Sequence, residues 1–66
     1  MLHERIAAAV SESGIKQKVI AARMGLSEQA FSAMLAGRRK IGVDEFYALC
    51  TILGVAPDAL YGYGTA

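Results

Sequence analysis

The chain has 66 residues, 55% of them hydrophobic, with a net charge of +1 and one cysteine. This length allows one small domain, and the apolar content excludes a disordered segment. One cysteine excludes a disulfide framework and a thiolate metal cluster, and no apolar run approaches the roughly 20 residues of a membrane span. We therefore expect a cytoplasmic domain that needs no cofactor or metal.

The chain opens with a predicted amphipathic helix. Leu2, Ile6 and Val10 recur every four residues, which is the spacing of an apolar stripe on a helix near residues 2–13. Gly14 is expected to end this helix, because glycine is the commonest residue just past a helix terminus.

A second and a third helix follow across a tight turn. Residues 17–24 predict a short helix, and Gly25 suits the left-handed conformation that ends one. Ser27 is the predicted N-cap of the third helix, because its hydroxyl can accept a hydrogen bond from a free backbone N–H. That helix is expected to continue to about Ala36, with Gly37 at its end.

The remaining sequence predicts a basic loop at 38–40 and two more helices. Apolar residues at helical spacing predict a fourth helix over 43–53, and Pro57 suits the first position of a fifth. The domain is expected to cover residues 1–62, followed by a flexible tail at 63–66. Because no segment alternates as a half-buried strand does, the predicted fold class is all-α, a compact bundle of five short helices.

The third helix has two unlike faces on a helical wheel. The apolar face holds Ala30, Phe31, Met34 and Leu35, and the thin, lightly polar face holds Glu28, Gln29, Ser32, Ala33 and Ala36. A solvated face would ordinarily carry more Lys, Glu and Arg, whereas a thin face fits close approach to base edges in the major groove of DNA. The alternative is that Ala and Ser only keep an exposed helix stable, with the helix dipole favouring Glu28.

Basic residues are concentrated around this helix. Residues 14–43 hold six basic residues and one acid, a net charge of +5, whereas the rest of the chain has a net charge of −4. A basic block in an otherwise acidic domain indicates a face for phosphates. Chance segregation of charge in a small helical domain is the alternative.

The order of these features resembles a known family. The stretches QKVIAARMGLSEQAFSAMLAGRRK and FYALCTILGVAPDAL are similar to the phage repressor and Cro family, the xenobiotic-response-element type of helix-turn-helix, over about residues 2–62. The matching positions of the motif are Gln17, Ala21, Gly25, Ser27, Ser32 and Gly37. The resemblance implies a lambda-repressor-like fold that binds double-stranded DNA as a homodimer, as a repressor on a near-palindromic operator.

The resemblance also implies a role for individual residues, with the third helix in the major groove. The residues expected to face base edges are Glu28, Gln29, Ser32 and Ala33. The residues expected to lie along the DNA backbone are Lys16, Gln17, Lys18, Ser27, Arg38, Arg39 and Lys40. The contribution of the basic residues should fall as salt rises.

Three features depart from the family pattern. Lys16 stands where a capping Thr or Ser is common, and Glu28 is acidic where many relatives have a neutral residue. Val10 and Leu35 stand where some relatives have a buried Arg–Glu ion pair, and apolar residues often replace such a pair with little loss of stability. We expect Val10 to pack against Leu35 and to fix the third helix to the first.

The resemblance implies a dimer contact around Val55, Pro57 and Tyr61. A two-fold dimer would present two recognition helices roughly 34 Å apart, about one turn of DNA. For Tyr61 the alternative is a place over the core of its own chain.

Enzymatic function is not predicted, because no spacing suggests a nucleophile with its base and no glycine-rich phosphate loop is present. No small-molecule ligand is evident, and His3 is interpreted as a surface residue. The rival function is a protein-interaction module of the same fold, such as an antitoxin component, which would gather exposed apolar residues such as Val19, Tyr47 and Tyr63 into one patch away from the basic loop. A helical domain with no nucleic-acid role is a second rival.

Overall fold

Helices form at all five predicted positions. The structure, a computed structural model, describes residues 2–61, and for Tyr61 it describes the backbone alone. There is no strand among these residues, so the all-α prediction is confirmed. The helices are α1 (Leu2–Ser13), α2 (Gln17–Met24), α3 (Glu28–Leu35), α4 (Val43–Leu53) and α5 (Pro57–Tyr61). Tyr63 and the predicted tail at 63–66 lie outside the described residues.

A short turn held by hydrogen bonds joins α2 to α3. Gly25 has a φ of +73°, and the amide of Leu26 donates to the carbonyl of Ala21 over 2.9 Å. Ser27 then caps α3, since its hydroxyl oxygen accepts a hydrogen bond from the amide of Ala30 at 3.1 Å. Both the left-handed Gly25 and the Ser27 cap are confirmed. Local hydrogen bonding therefore sets where α3 begins relative to α2.

The core takes one side of each helix. The largest fully buried side chains are Phe31, Ile6, Ile20, Met34 and Leu49, each 0% exposed. Burial of an apolar side chain of this size contributes about 1.5–3 kcal/mol. Two of these five side chains belong to α3, so packing fixes which side of that short helix faces inward.

Three other predicted core side chains are also buried or half-buried. Val10 is buried, and Leu35 packs against the buried cluster from α3, which contacts α1. A direct contact between the two side chains stays a prediction. Cys50 is buried as expected, and burial raises the pKa of its thiol.

His3 is more covered than predicted. Its side chain is half-buried, and a Cβ added to Gly37 would lie 2.7 Å from Nε2 of His3. The imidazole therefore lies over the glycine that follows α3, where φ is +81°. His3 is thus at the surface but partly covered, because the beginning of α1 meets the end of α3.

Candidate nucleic-acid interface

The thin face of α3 points away from the core. Glu28, Gln29 and Ser32 are exposed, and Ala33 is half-buried at the edge of this face. Glu28 is the first residue of α3, where the helix dipole favours a negative charge. In the part of the chain that the structure describes, none of the three exposed side chains makes a hydrogen bond or an ion pair. Their donors and acceptors are therefore open to another molecule.

The start of α2 presents a second group of polar side chains. Lys16, Gln17 and Lys18 are all exposed. Lys16 is the N-cap residue of α2 by its backbone conformation, and its side chain makes no capping hydrogen bond, as expected for lysine. Within residues 2–61, neither lysine has an ion pair, so both ammonium groups carry a charge that the described chain does not neutralise.

The loop between α3 and α4 carries the third group, and its three basic residues are not equivalent. Arg38 and Lys40 are exposed, and the described residues offer neither of them a carboxylate partner. Arg39 is half-buried and turns toward α4. There its Nη1 and Nη2 donate to Oε1 and Oε2 of Glu45 over 3.0 Å and 2.9 Å.

Glu45 also holds the backbone at the start of α4. Its Oε1 accepts a hydrogen bond from the amide of Gly42, the N-cap residue, over 2.9 Å. Pairing with Arg39, and next the Gly42 amide, lowers the pKa of the Glu45 carboxyl, while Glu45 raises the pKa of Arg39. Glu45 was missed in the sequence, although a glutamate at the third position of a helix is the usual spacing for bonding the N-cap amide.

Ser27 borders the thin face of α3 through its capping role, and its side chain is exposed. The exposed positions predicted for base edges thus lie on α3. Those predicted for the DNA backbone lie at the start of α2, in the turn and in the loop after α3. Their roles toward DNA stay predictions. Arg39 differs from the rest because a carboxylate of the same chain already occupies its guanidinium.

The predicted dimer contact lies at a different surface. Val55 and Leu60 line a groove of about 280 Å³ between α1 and α5, together with alanines. Arg5 and Glu12 lie on the α1 side of this groove. Pro57 is half-buried at the start of α5, and the Tyr61 side chain is outside the described atoms.

Exposed apolar side chains occur on α2 and α4. Val43 is 71% exposed and Tyr47 is 55% exposed, one turn apart on α4, while Val19 on α2 is 38% exposed. Tyr63, the other residue of the expected apolar patch, lies outside the described residues.

No helix in the described range is long and apolar enough to cross a membrane. That range also holds no group of three or more His, Cys, Asp or Glu side chains able to bind a metal.

The chain matches a known protein family. A family model described as a helix-turn-helix domain matches residues 3–60, nearly the whole chain. Searches of curated proteins and of solved structures found no match. The matched range contains the exposed face of α3, the start of α2 and the basic loop.

Proposed function

Because the chain belongs to the helix-turn-helix domain family, and helix-turn-helix motifs dock a helix in the major groove of DNA, we propose that it is a sequence-specific regulator of transcription of the Cro/C1 type. It acts as a repressor on a near-palindromic operator, as a homodimer with α3 in the major groove. The DNA-binding domain spans residues 1–62.

The observation that carries this proposal is the exposed, thin face of α3. A helix must come close to base edges to read them, and short side chains allow that approach. Gln29 can form two hydrogen bonds with an adenine, Glu28 can accept from a cytosine amino group, and Ser32 can donate or accept. The methyl group of Ala33 is suited to contact with a thymine methyl group.

Contacts with the DNA backbone set the position of α3 on the duplex. Lys16, Gln17 and Lys18 lie at the start of α2, before the turn, and Arg38 and Lys40 follow α3. These exposed side chains can bind phosphates on either side of the groove that α3 enters. Ser27 lies between the two groups, directly before α3. If α3 enters the groove, Ser27 is placed to contact the sugar-phosphate chain.

A band-shift titration against random DNA fragments at two salt concentrations tests DNA binding. The affinity should fall steeply as salt rises, and Arg38→Gln should reduce the slope of log K against log salt by about 0.9. Arg38→Lys is the matched control, because it keeps the charge and should keep the slope. Absence of binding at low salt would remove the proposal.

The groove between α1 and α5 supports the dimer. Arg5 and Glu12 are two helical turns apart on α1, roughly 10 Å, with Ala8 and Ala9 midway between them. A two-fold axis at the alanines brings each Arg5 to Glu12 of the partner subunit, and the small side chains allow the two helices to approach. Val55, from the predicted dimer contact, lines the same groove.

Charge reversal tests this pairing. Arg5→Glu or Glu12→Arg alone should raise the dimer dissociation constant roughly tenfold, because each converts two attractions into two repulsions. The double variant should restore dimerisation, since the opposite charges meet again. Sedimentation equilibrium measures the dimer dissociation constant of the two single variants and the double variant. Constants equal to that of the wild type in every variant would exclude this groove as the interface.

The exposure of Val43 and Tyr47 favours a second candidate function, a protein-interaction module such as an antitoxin component. Adjacent exposed apolar side chains on one helix are suited to a protein partner. This function predicts that Val43→Ser with Tyr47→Ser abolishes binding to a toxin-like protein partner, whereas the DNA affinity of the purified domain is unchanged. Weaker DNA binding by that variant would count against it.

A further inference from the structure

The loop between α3 and α4 is held by one carboxylate from α4. We propose that Glu45 is a positioning residue for DNA-backbone binding. By pairing with Arg39 it fixes the loop so that Arg38 and Lys40 meet phosphates, while Arg39 itself contacts none. The inference rests on the proposed function, because it concerns how the same surface binds DNA, and it replaces the phosphate contact that the family resemblance implies for Arg39.

The first support is that Glu45 holds the loop at several points. It bonds both the Arg39 guanidinium and the Gly42 amide, and Nη1 of Arg39 donates in turn to the carbonyl of Lys40 over 3.3 Å. A two-pronged arginine–carboxylate pair is stronger and more directional than a single neutral hydrogen bond. One α4 side chain therefore restrains the loop from Arg39 to Gly42.

The second support is that both ends of the loop are anchored in the fold. Next to Glu45 on α4, Phe46 is buried in the core. At the other end the amide of Arg38 donates to the carbonyl of Ala33 over 2.9 Å, just past Gly37. Glu45 thus restrains the middle of a loop whose ends the core and the end of α3 already fix.

The third support is the alternation of side chains along the loop. Arg39 turns inward to Glu45, while its neighbours Arg38 and Lys40 are exposed and have no carboxylate partner among residues 2–61. A long basic side chain loses conformational freedom when it binds a phosphate, and a loop that is already ordered reduces this loss. The Arg39–Glu45 pair therefore immobilises Arg39 and thereby presents Arg38 and Lys40 to phosphates.

Removing the Glu45 charge should change the DNA affinity in the direction opposite to the one expected from charge alone. Glu45 is an acid close to a surface that is to meet phosphates, so simple Coulomb repulsion predicts tighter DNA binding when its charge is removed. A positioning role predicts weaker binding. Glu45→Gln separates the two, since glutamine can still accept from the Gly42 amide but cannot form the charged pair with Arg39.

The test compares Glu45→Gln with Asp44→Asn. Asp44 is the neighbouring acid, is exposed, and makes no side-chain hydrogen bond in the described part of the chain, so its replacement removes the same charge without a loop contact. We expect DNA binding by Glu45→Gln to be roughly three- to tenfold weaker, and binding by Asp44→Asn to be equal to the wild type or slightly tighter. Circular dichroism and thermal melts establish that each variant is folded at the assay temperature.

Arg39→Gln gives a second, independent readout. Its affinity should fall while the slope of log K against log salt stays at the wild-type value, because no phosphate contact is lost. A slope reduced by about 0.9, as expected for Arg38→Gln, would mean that Arg39 binds a phosphate and would overturn the inference.

The outcomes also separate this inference from the proposed function. If the wild type binds no DNA at low salt, both fall. If the wild type binds and Glu45→Gln binds as tightly as Asp44→Asn, the positioning role alone is refuted.

Discussion

The two faces of α3 differ in burial and in their contacts with the rest of the molecule. Phe31 and Met34 are completely buried, whereas Glu28, Gln29 and Ser32 are exposed and have no side-chain partner among the described residues. The buried face holds a short helix in one orientation against the core. The exposed face is therefore presented at a fixed position while contributing little to stability, so its residues are available for recognition.

The sharpest way to break this contrast is to truncate the buried face. Phe31→Ala should lower the free energy of unfolding by about 3–5 kcal/mol, which is comparable with the whole stability of a domain this small. Urea unfolding followed by circular dichroism measures the loss. Gln29→Ala is the control on the opposite face and should change the free energy of unfolding by less than about 0.5 kcal/mol. Similar losses for both variants would mean that the two faces are not distinct.

Binding should show the reverse order. Gln29→Ala is expected to weaken binding to the operator by about 1–3 kcal/mol, because a base-specific hydrogen-bonding side chain is lost. Binding to random DNA should remain nearly unchanged, since phosphate contacts supply it. The operator is obtained by selecting bound fragments from genomic DNA, and the two affinities are measured in parallel. Equal losses on both DNAs would show that Gln29 reads no base.

The end of α3 allows a smaller test of how the helix is held. Gly37→Ala and Gly14→Ala each place an L-residue at positive φ, which costs about 1–2 kcal/mol. Only at Gly37 would the new Cβ also meet His3, at 2.7 Å, whereas nothing lies within 4 Å at Gly14. We expect the larger loss of thermal stability for Gly37→Ala, and addition of His3→Ala should remove the excess over Gly14→Ala. An excess that persists without the imidazole would contradict the contact.

The part of the fold predicted from sequence is the part that local chemistry determines. Gly25 and Ser27 fix the ends of neighbouring helices through hydrogen bonds within a few residues, so the pattern alone located them. The His3–Gly37 and Arg39–Glu45 contacts depend on where separate elements meet. Three adjacent basic residues look alike in a sequence, and only the position of α4 distinguishes Arg39 from its neighbours.

The same ion pair gives the smallest expected effect, a pH-dependent one. Pairing with Arg39 and the Gly42 amide lowers the pKa of Glu45 in the folded protein. The stabilisation is therefore fully present above the ordinary glutamate pKa of about 4.3 and is lost as pH falls through the lowered folded value. The melting temperature of the wild type should exceed that of Glu45→Gln at pH 7, and the gap should narrow as the pH falls below the ordinary glutamate pKa and through the lowered folded value.

Repeating the titration in an Arg39→Gln background tests whether the pair causes this dependence. The gap at pH 7 should be smaller there, because the guanidinium is the larger cause of the lowered pKa and only the Gly42 amide remains. A gap of unchanged size would mean that Glu45 stabilises the start of α4 without help from Arg39. The loop would then be held by helix capping alone, and the contrast between a fixed, inward Arg39 and its two exposed neighbours would lose its physical basis.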